Sequence, residues 1–250
     1  MNKDYIFLVT TYNCRSYIDA CIHSLLIQDD DDFGIIFVDD ASTDGTVERI
    51  RAISPDIKHE HIIHVNESRT GSAAWNQYQA VIKYVDNPNS RICILDGDDE
   101  LYDNKSFFTL KVAEKADKRD CEAGVLQFQG RIPNTGHKLN LYREDDPYHL
   151  RYFNAWLYKA VPESMYYNGD ELIRAASDIA FIYPVIQLLD EKFFMCNFLA
   201  YKWSNHLIDH NDHYLNLSEQ RINLNYVKRR DKMSALTPEQ IQEIKDNWNS

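Results

Sequence analysis

Arg91-Ile92-Cys93-Ile94-Leu95-Asp96-Gly97-Asp98-Asp99-Glu100 changes character halfway along. Ile92 to Leu95 is a short apolar run, β-branched in part, that suits a strand buried on both faces. The second half sets four carboxylates in five residues. They repel one another, and each is costly to desolvate without a partner. Two readings of Asp96-Gly97-Asp98-Asp99 stand side by side. One is a solvated acidic turn, since Asp and Gly are common turn residues. The other is a site for a hard divalent cation, Mg²⁺ or Mn²⁺, of the kind that also holds a substrate's phosphates. Open α/β sheets place ligands at the carboxyl ends of their strands, where this Asp-x-Asp falls.

The chain upstream supplies such a sheet. Tyr5 to Thr10 reads as a buried first strand, closed by Thr11-Tyr12-Asn13. Ser16 and Asp19 form a capping-box-like start, and Ile18, Cys21, Ile22, Leu25 and Leu26 follow at helical spacing. Asp29 to Asp32 is a solvated loop. Gly34 to Val38 is a second strand ending in Asp39-Asp40, followed by a turn that caps a helix from Val47 to Ile53. Ile62 to Val65 is a third strand. A polar loop from Asn66 to Ser72 leads to a helix over 73–85, with Ala74, Tyr78, Val81, Ile82 and Val85 toward the core. This β-α-β-α alternation predicts an α/β fold with a mostly parallel sheet.

Downstream of the acid cluster, Asn104 caps a helix running through Lys118, and Val125 to Phe128 is a strand. Residues 131–147 read as a long loop. A helix over 148–158, a polar stretch through Asp170 and a helix over 177–191 containing Pro184 follow. Phe193 to Trp203 is a mixed strand region. Helices over 218–232 and 237–248 finish the chain. The last has Thr237 as cap, Pro238 at its first position and Gln240 three residues on, a strong start signal.

Of the 250 residues, 44% are hydrophobic and 26% charged, which suits one large domain with an ordinary core. The net charge of −12 argues against a broad nucleic-acid or membrane surface. Five cysteines form no Cys-x-x-Cys pair, and reduced, buried thiols are expected. No signal-peptide pattern precedes Tyr5, and no stretch approaches the ~20 apolar residues of a membrane span. These features together predict a cytoplasmic protein.

Four stretches recur in one order: Thr10 to Asn13, Val38 to Thr46, Asn66 to Asn76 and Leu95 to Asp99. Together they resemble the family 2 glycosyltransferases, which have the GT-A fold and act on nucleotide sugars with inversion. The resemblance is specific over roughly the first 110 residues and loose beyond Gly130. It implies a nucleotide-sugar-binding half over 1–130, an acceptor-binding half over 131–214 and a C-terminal helical extension over 215–250. It also implies a metal-dependent enzyme moving a sugar from a UDP-sugar to an acceptor hydroxyl.

Residue roles follow from the same resemblance. Thr10 and Tyr12 match residues that hold the base, with Tyr12 packing on uracil. Asp40 matches the acid that accepts from the uracil N3–H, and Asp39 supports the ribose or the loop. An acceptor carboxylate suits a ring N–H and an aromatic face suits a planar base. As alternatives, Thr11 to Asn13 is merely a turn and Asp39-Asp40 a capping segment. Arg69 falls where relatives carry a basic residue near the diphosphate; otherwise it is an exposed loop arginine. Asn76 orders its helix against the loop. Asp98 matches the direct ligand of Mn²⁺ or Mg²⁺. Asp96 reaches the ribose or a metal-bound water, Gly97 lets the backbone approach the phosphates, and Asp99 supports the site or faces the sugar. His206 is the candidate third ligand, with His210 beside it and His213 no better placed.

For the general base, the family uses an acid at a helix start in the second half, usually in a Glu-Asp pair. Ser177-Asp178 is the best match, with Ser177 replacing the first acid. Asp170 and Glu171 are rivals, and Asp178 capped by Ser177 is the plain structural alternative. The Ser177 substitution also leaves open a nucleotide-sugar-binding module without catalysis. A nucleotidyl or phosphoryl transferase is disfavoured by the absence of a P-loop motif. The acceptor stays open among a glycan, a protein side chain and a hydroxymethylated base of phage-type DNA. Lys228-Arg229-Arg230 and the aromatic-rich region 142–167 keep the last open.

Overall fold

The computed structural model describes residues 1–116, 123–129, 150–190, 194–202 and 217–249. In chain order the first half contains β1 (Tyr5–Thr11), α1 (Ile18–Leu26), β2 (Gly34–Asp39), α2 (Thr46–Ile53), β3 (His61–Val65), α3 (Ala73–Tyr84), β4 (Arg91–Asp96), β5 (Glu100–Leu101) and α4 (Ser106–Ala116). Then come β6 (Ala123–Gln129), β7 (Arg151–Asn154), α5 (Trp156–Ala160), β8 (Tyr167–Asn168), β9 (Glu171–Leu172), α6 (Asp178–Leu188) and β10 (Phe194–Lys202). Two further helices are α7 (Leu217–Arg229) and α8 (Pro238–Asp246).

Eight strands form one sheet in the order β3-β2-β1-β4-β7-β6-β10-β5, and β8 pairs with β9 as a separate hairpin. β1 is parallel to β2 on one side and to β4 on the other. The chain leaves β1 toward β2 and β3, then returns across β1 to lay down β4. The carboxyl ends of β1 and β4 therefore flank a topological switch point, where α/β sheets open a crevice.

Strand alternation divides the core between the two sheet faces. Ile6, Leu8, Ile36, Val38, Ile92 and Ile94 pack with α3, α5 and α6. Phe7, Val9, Ile35, Phe37, Cys93 and Leu95 pack with α1 and α4. Cys14, Cys21 and Cys93 are buried free thiols, as expected; Cys121 and Cys196 lie outside the residues whose side chains are described. Among the described residues, no helix is long and apolar enough to cross a membrane.

Several local expectations need correction. The first part of the helix expected over 148–158 is β7, which fills a slot antiparallel to both β4 and β6. Tyr152 enters one core and Phe153 the other, so the period here is two. Helix α1 starts at Ile18 with no side-chain cap. Asp19 instead accepts from Arg49 at 2.6 and 2.8 Å. Helix α4 is started by Asp103, which takes the Ser106 hydroxyl and the Lys105 N–H, while Asn104 donates to Asp29. On α3 the buried side chains include Asn76, Gln77 and Ala80, and Ile82 is exposed. Pro184 lies inside α6. The capping box of α8 forms as the sequence predicts.

Candidate active site

The switch-point crevice is a cleft of about 230 Å³. The end of β1 contributes Thr10, Thr11 and Tyr12, and the turn after β4 contributes Gly97 and Asp98. Asp40 follows β2, while Arg69, Gly71, Ala73 and Asn76 close the side formed by the loop before α3 and its first turn. Thr10, Tyr12, Asp40, Arg69, Gly97 and Asp98 are thus brought together. Asp39, Asp96 and Asp99 lie behind this surface.

Each acid is held differently. Asp39 is fully buried and accepts from the Thr11 hydroxyl at 2.8 Å, the Ser42 N–H at 2.7 Å and the Ser42 hydroxyl at 2.6 Å. It fixes the turn after β2, where Ala41 adopts a left-handed φ of 61°. Asp40 organises the other wall. Its Oδ1 accepts from Asn66 Nδ2 and the Thr70 N–H, both at 2.9 Å, and its Oδ2 from the Gly71 N–H at 2.8 Å. Burial alone would raise its pKa, but these donors outweigh burial and hold it below the usual carboxylate value. Asn76 accepts from Asn66 and Thr70, both at 2.9 Å, and so ties the loop to α3 as expected.

The acid cluster is braced from two strands. Thr10 Oγ1 donates to Asp96 Oδ1 at 3.1 Å. Tyr201, on β10, donates its hydroxyl to Asp99 Oδ2 at 2.6 Å. A register shift between Leu199 and Tyr201 precedes that contact, and such bulges re-aim side chains. Gly97 has a packing reason to be glycine. An added Cβ would lie 2.5 Å from Thr11 Cγ2 and 3.1 Å from Cys14 Sγ. The missing side chain admits β1 rather than a ligand, although Gly97 also lines the cleft.

Arg69 lies over Tyr12, with its guanidinium carbon 3.7 Å from the ring centroid. A base stacking on Tyr12 must take the opposite face or displace Arg69. Asp178, the first residue of α6, accepts from Arg151 Nη1 at 2.9 Å through Oδ2 and from the Ile179 N–H at 3.0 Å through Oδ1. Ser177 does not cap α6; its hydroxyl accepts from the Ala74 N–H of α3 at 3.3 Å. The carboxyl of Asp96 is pushed up to about 6, first by burial and then by the charge of Asp98. Arg151 and the Thr10 hydrogen bond lower it, and Asp178 raises it. Asp96, Asp98, Arg151 and Asp178 therefore share one electrostatic neighbourhood.

Arg151 and Tyr201 escaped the sequence reading, because their partners are fixed only when β7 and β10 join the sheet. Asp170 and Glu171 occupy the β8–β9 hairpin region, and neither lines the cleft. His206, His210 and His213 lie outside the described residues. Among the described residues, no three His, Cys, Asp or Glu side chains form a ready-made metal cage. Of the basic cluster, Arg230 is committed within the protein: its guanidinium donates to the Met165 and Tyr167 carbonyls and lies 4.6 Å from the Tyr226 ring.

The sequence profile of glycosyl transferase family 2 matches residues 6–179, which include every cleft residue named above. The chain belongs to this family. TuaG of Bacillus subtilis (strain 168), a glycosyltransferase named for teichuronic acid biosynthesis, is 30% identical over 100 residues, 39% of this chain and 37% of that protein. The match thus spans little more than a third of that relative. S. aureus TarS 1–349 in complex with UDP superposes with a TM-score of 0.64 at 16% identity, covering 98% of this chain and 70% of that one. Mannosyltransferase PcManGT from Pyrobaculum calidifontis, in complex with GDP-Man and Mn²⁺, gives 0.67 at 14% identity, covering 98% and 69%. Glucosyl-3-phosphoglycerate synthase from Mycobacterium tuberculosis, with Mn²⁺, UDP and glucosyl-3-phosphoglycerate, gives 0.60 at 11% identity, covering 92% and 81%. At such identities the likeness is one of fold, and it is the GT-A fold that the four motifs implied.

Proposed function

We propose that this chain transfers a sugar from a UDP-sugar to an acceptor hydroxyl, with inversion and with Mn²⁺ or Mg²⁺. The observation that carries this reading is the meeting of Thr10, Tyr12, Asp40 and Asp98 in one cleft at the switch point. Structurally similar proteins hold UDP or UDP-GlcNAc, and one holds GDP-Man.

The residues fit a divalent cation. The charge of Asp98 helps push up the Asp96 carboxyl, and a bound cation relieves that repulsion. One or two carboxylates completed by substrate phosphates are a normal Mg²⁺ or Mn²⁺ site, so a larger protein cage is not required. Asp98 is the direct ligand in this reading, with Asp96 behind it. When bound, the cation neutralises charge on the departing nucleoside diphosphate.

The chain's own groups do the rest. Tyr12 and Asp40 bind the base, and Arg69 leaves the Tyr12 ring when the base requires that face. Asp178 takes the proton of the acceptor hydroxyl as the hydroxyl attacks the anomeric carbon from the side opposite the leaving phosphate. Arg151 keeps Asp178 aimed until then, through the hydrogen bond it donates to Oδ2. One observation favours a second reading, a donor-binding module without turnover: both Asp178 oxygens already accept hydrogen bonds. The experiment is a hydrolysis and transfer screen across nucleotide sugars with the purified protein. Wild-type turnover of a UDP-sugar, with a loss of ~10²–10⁴-fold in Asp178→Asn, supports the transferase. Donor binding with equal, negligible turnover in both proteins leaves the binding module.

A further inference from the structure

Arg69 lines the cleft, Arg151 acts on Asp96 behind it, and Arg174 packs against the cleft residue Gly71; their engagements differ. Arg69 lies on the Tyr12 ring, and Arg151 holds Asp178. Arg174 is exposed and makes no ion pair among the described residues. Its stem is nevertheless fixed in place. Gly71, which lines the cleft, has a φ of 75°. The position a Gly71 Cβ would take lies 3.1 Å from Arg174 Cδ and 3.3 Å from Arg174 Cγ. A larger residue at 71 would push the arginine away. The glycine thus serves two ends: it allows the left-handed turn that sends its N–H to Asp40, and it leaves room for the Arg174 stem, which packs against this cleft residue.

Arg174 comes from the second half of the chain, four residues before Asp178. If Asp178 faces the acceptor hydroxyl, the segment just before it borders the acceptor's path. That path carries an excess of acid: the chain has a net charge of −12, and Asp96, Asp98 and Asp178 outnumber Arg151 in their shared neighbourhood. A neutral acceptor has no need there of a guanidinium that makes no ion pair among the described residues. For an acidic acceptor, a cation on a pre-placed stem offsets the repulsion, and its planar fork pairs with phosphate or carboxylate.

Resting on the transferase reading, we propose that Arg174 is an anion-binding residue of the acceptor site, and that the acceptor carries a phosphate or carboxylate near the hydroxyl it presents. The probe is inorganic phosphate, titrated into the UDP-loaded protein while the amide resonances of Gly71 and Ala73 are followed. Wild type should show saturable shifts. Arg174→Gln should weaken the phosphate response about tenfold while leaving UDP affinity unchanged. Arg51→Gln, an exposed arginine on α2, should change neither. Weakened UDP affinity in Arg174→Gln would make the residue a donor contact and overturn the proposal. Equal phosphate responses in wild type and Arg174→Gln would also overturn it. Failure of the wild type to bind UDP at all would instead count against the transferase reading, which keeps the two failures distinct.

Discussion

Asp40 shows how one side chain serves both fold and site. Its carboxylate gathers Asn66, Thr70 and Gly71, and that gathering builds the wall opposite Asp98. Because its folded-state pKa lies below the ordinary 3.8, its charge stabilises the fold above that pH. The contribution is lost as the pH falls through the lowered value. Asp40→Asn should therefore cost about 1–3 kcal/mol at pH 7, with the gap closing as the pH falls below 3.8 in urea titrations. A gap independent of pH would show that the charge is not what holds the loop. Asp98 differs in that it lines the cleft and its charge raises the carboxyl of its neighbour Asp96. Asp98→Ala should leave the unfolding midpoint within about 0.5 kcal/mol of wild type and abolish transfer, with chelator reproducing the loss. Full turnover in chelator would remove the cation from the mechanism. The acids themselves were legible in the sequence, as a local excess of charge that folding does not need. The partners of Asp40 were not, because Asn66 and Thr70 reach it through a loop whose path the sequence leaves open.

At the scale of elements, the strands and helices of the first half were legible from periodicity, because each buries a face against a neighbour close in sequence. The second half was not. β7 carries the spacing of a short amphipathic helix, and only the vacancy between β4 and β6 makes it a strand. The Tyr201–Asp99 contact spans 102 residues, which no local pattern reports. The link between α3 and α6 is of the same kind. Ser177 departs from the family's acid pair, and its hydroxyl takes the Ala74 N–H at the start of the helix that walls the cleft. The position thus joins the donor wall to Asp178. Ser177→Ala should cost about 1 kcal/mol of stability and reduce kcat with little change in UDP affinity, while Ser177→Thr should recover most of both. Equal kcat in Ser177→Ala and wild type would mean that the contact only fastens two helices.

For the whole molecule, the two faces of the sheet are not equivalent. The α1 and α4 side is closed by aromatic packing of Phe7, Phe33 and Phe107. The α3, α5 and α6 side also receives the end of the chain. Trp248 is buried and donates its indole N–H to the Val85 carbonyl at 2.9 Å, just after α3. Met233, Leu236, Ile241 and Ile244 pack on the same core, and the Leu236 N–H meets the Leu188 carbonyl at 3.0 Å. The family resemblance sets 215–250 apart as an extension. Part of the burial comes from Val227, Ile241 and Ile244 on the helices, and part from Met233, Leu236 and Trp248 between and after them, which periodicity within a helix does not weigh. If this segment belongs to the core energetically, Trp248→Ala should lose about 3–5 kcal/mol in a single cooperative transition. Trp248→Phe, which keeps most of the packing and drops the N–H, should lose about 1–2 kcal/mol. Were the segment an appendage, Trp248→Ala would leave the main urea midpoint unchanged and add a separate early transition. Followed by circular dichroism and by tryptophan fluorescence, the two behaviours separate cleanly: coincident curves place the end of the chain inside the unit that walls the cleft.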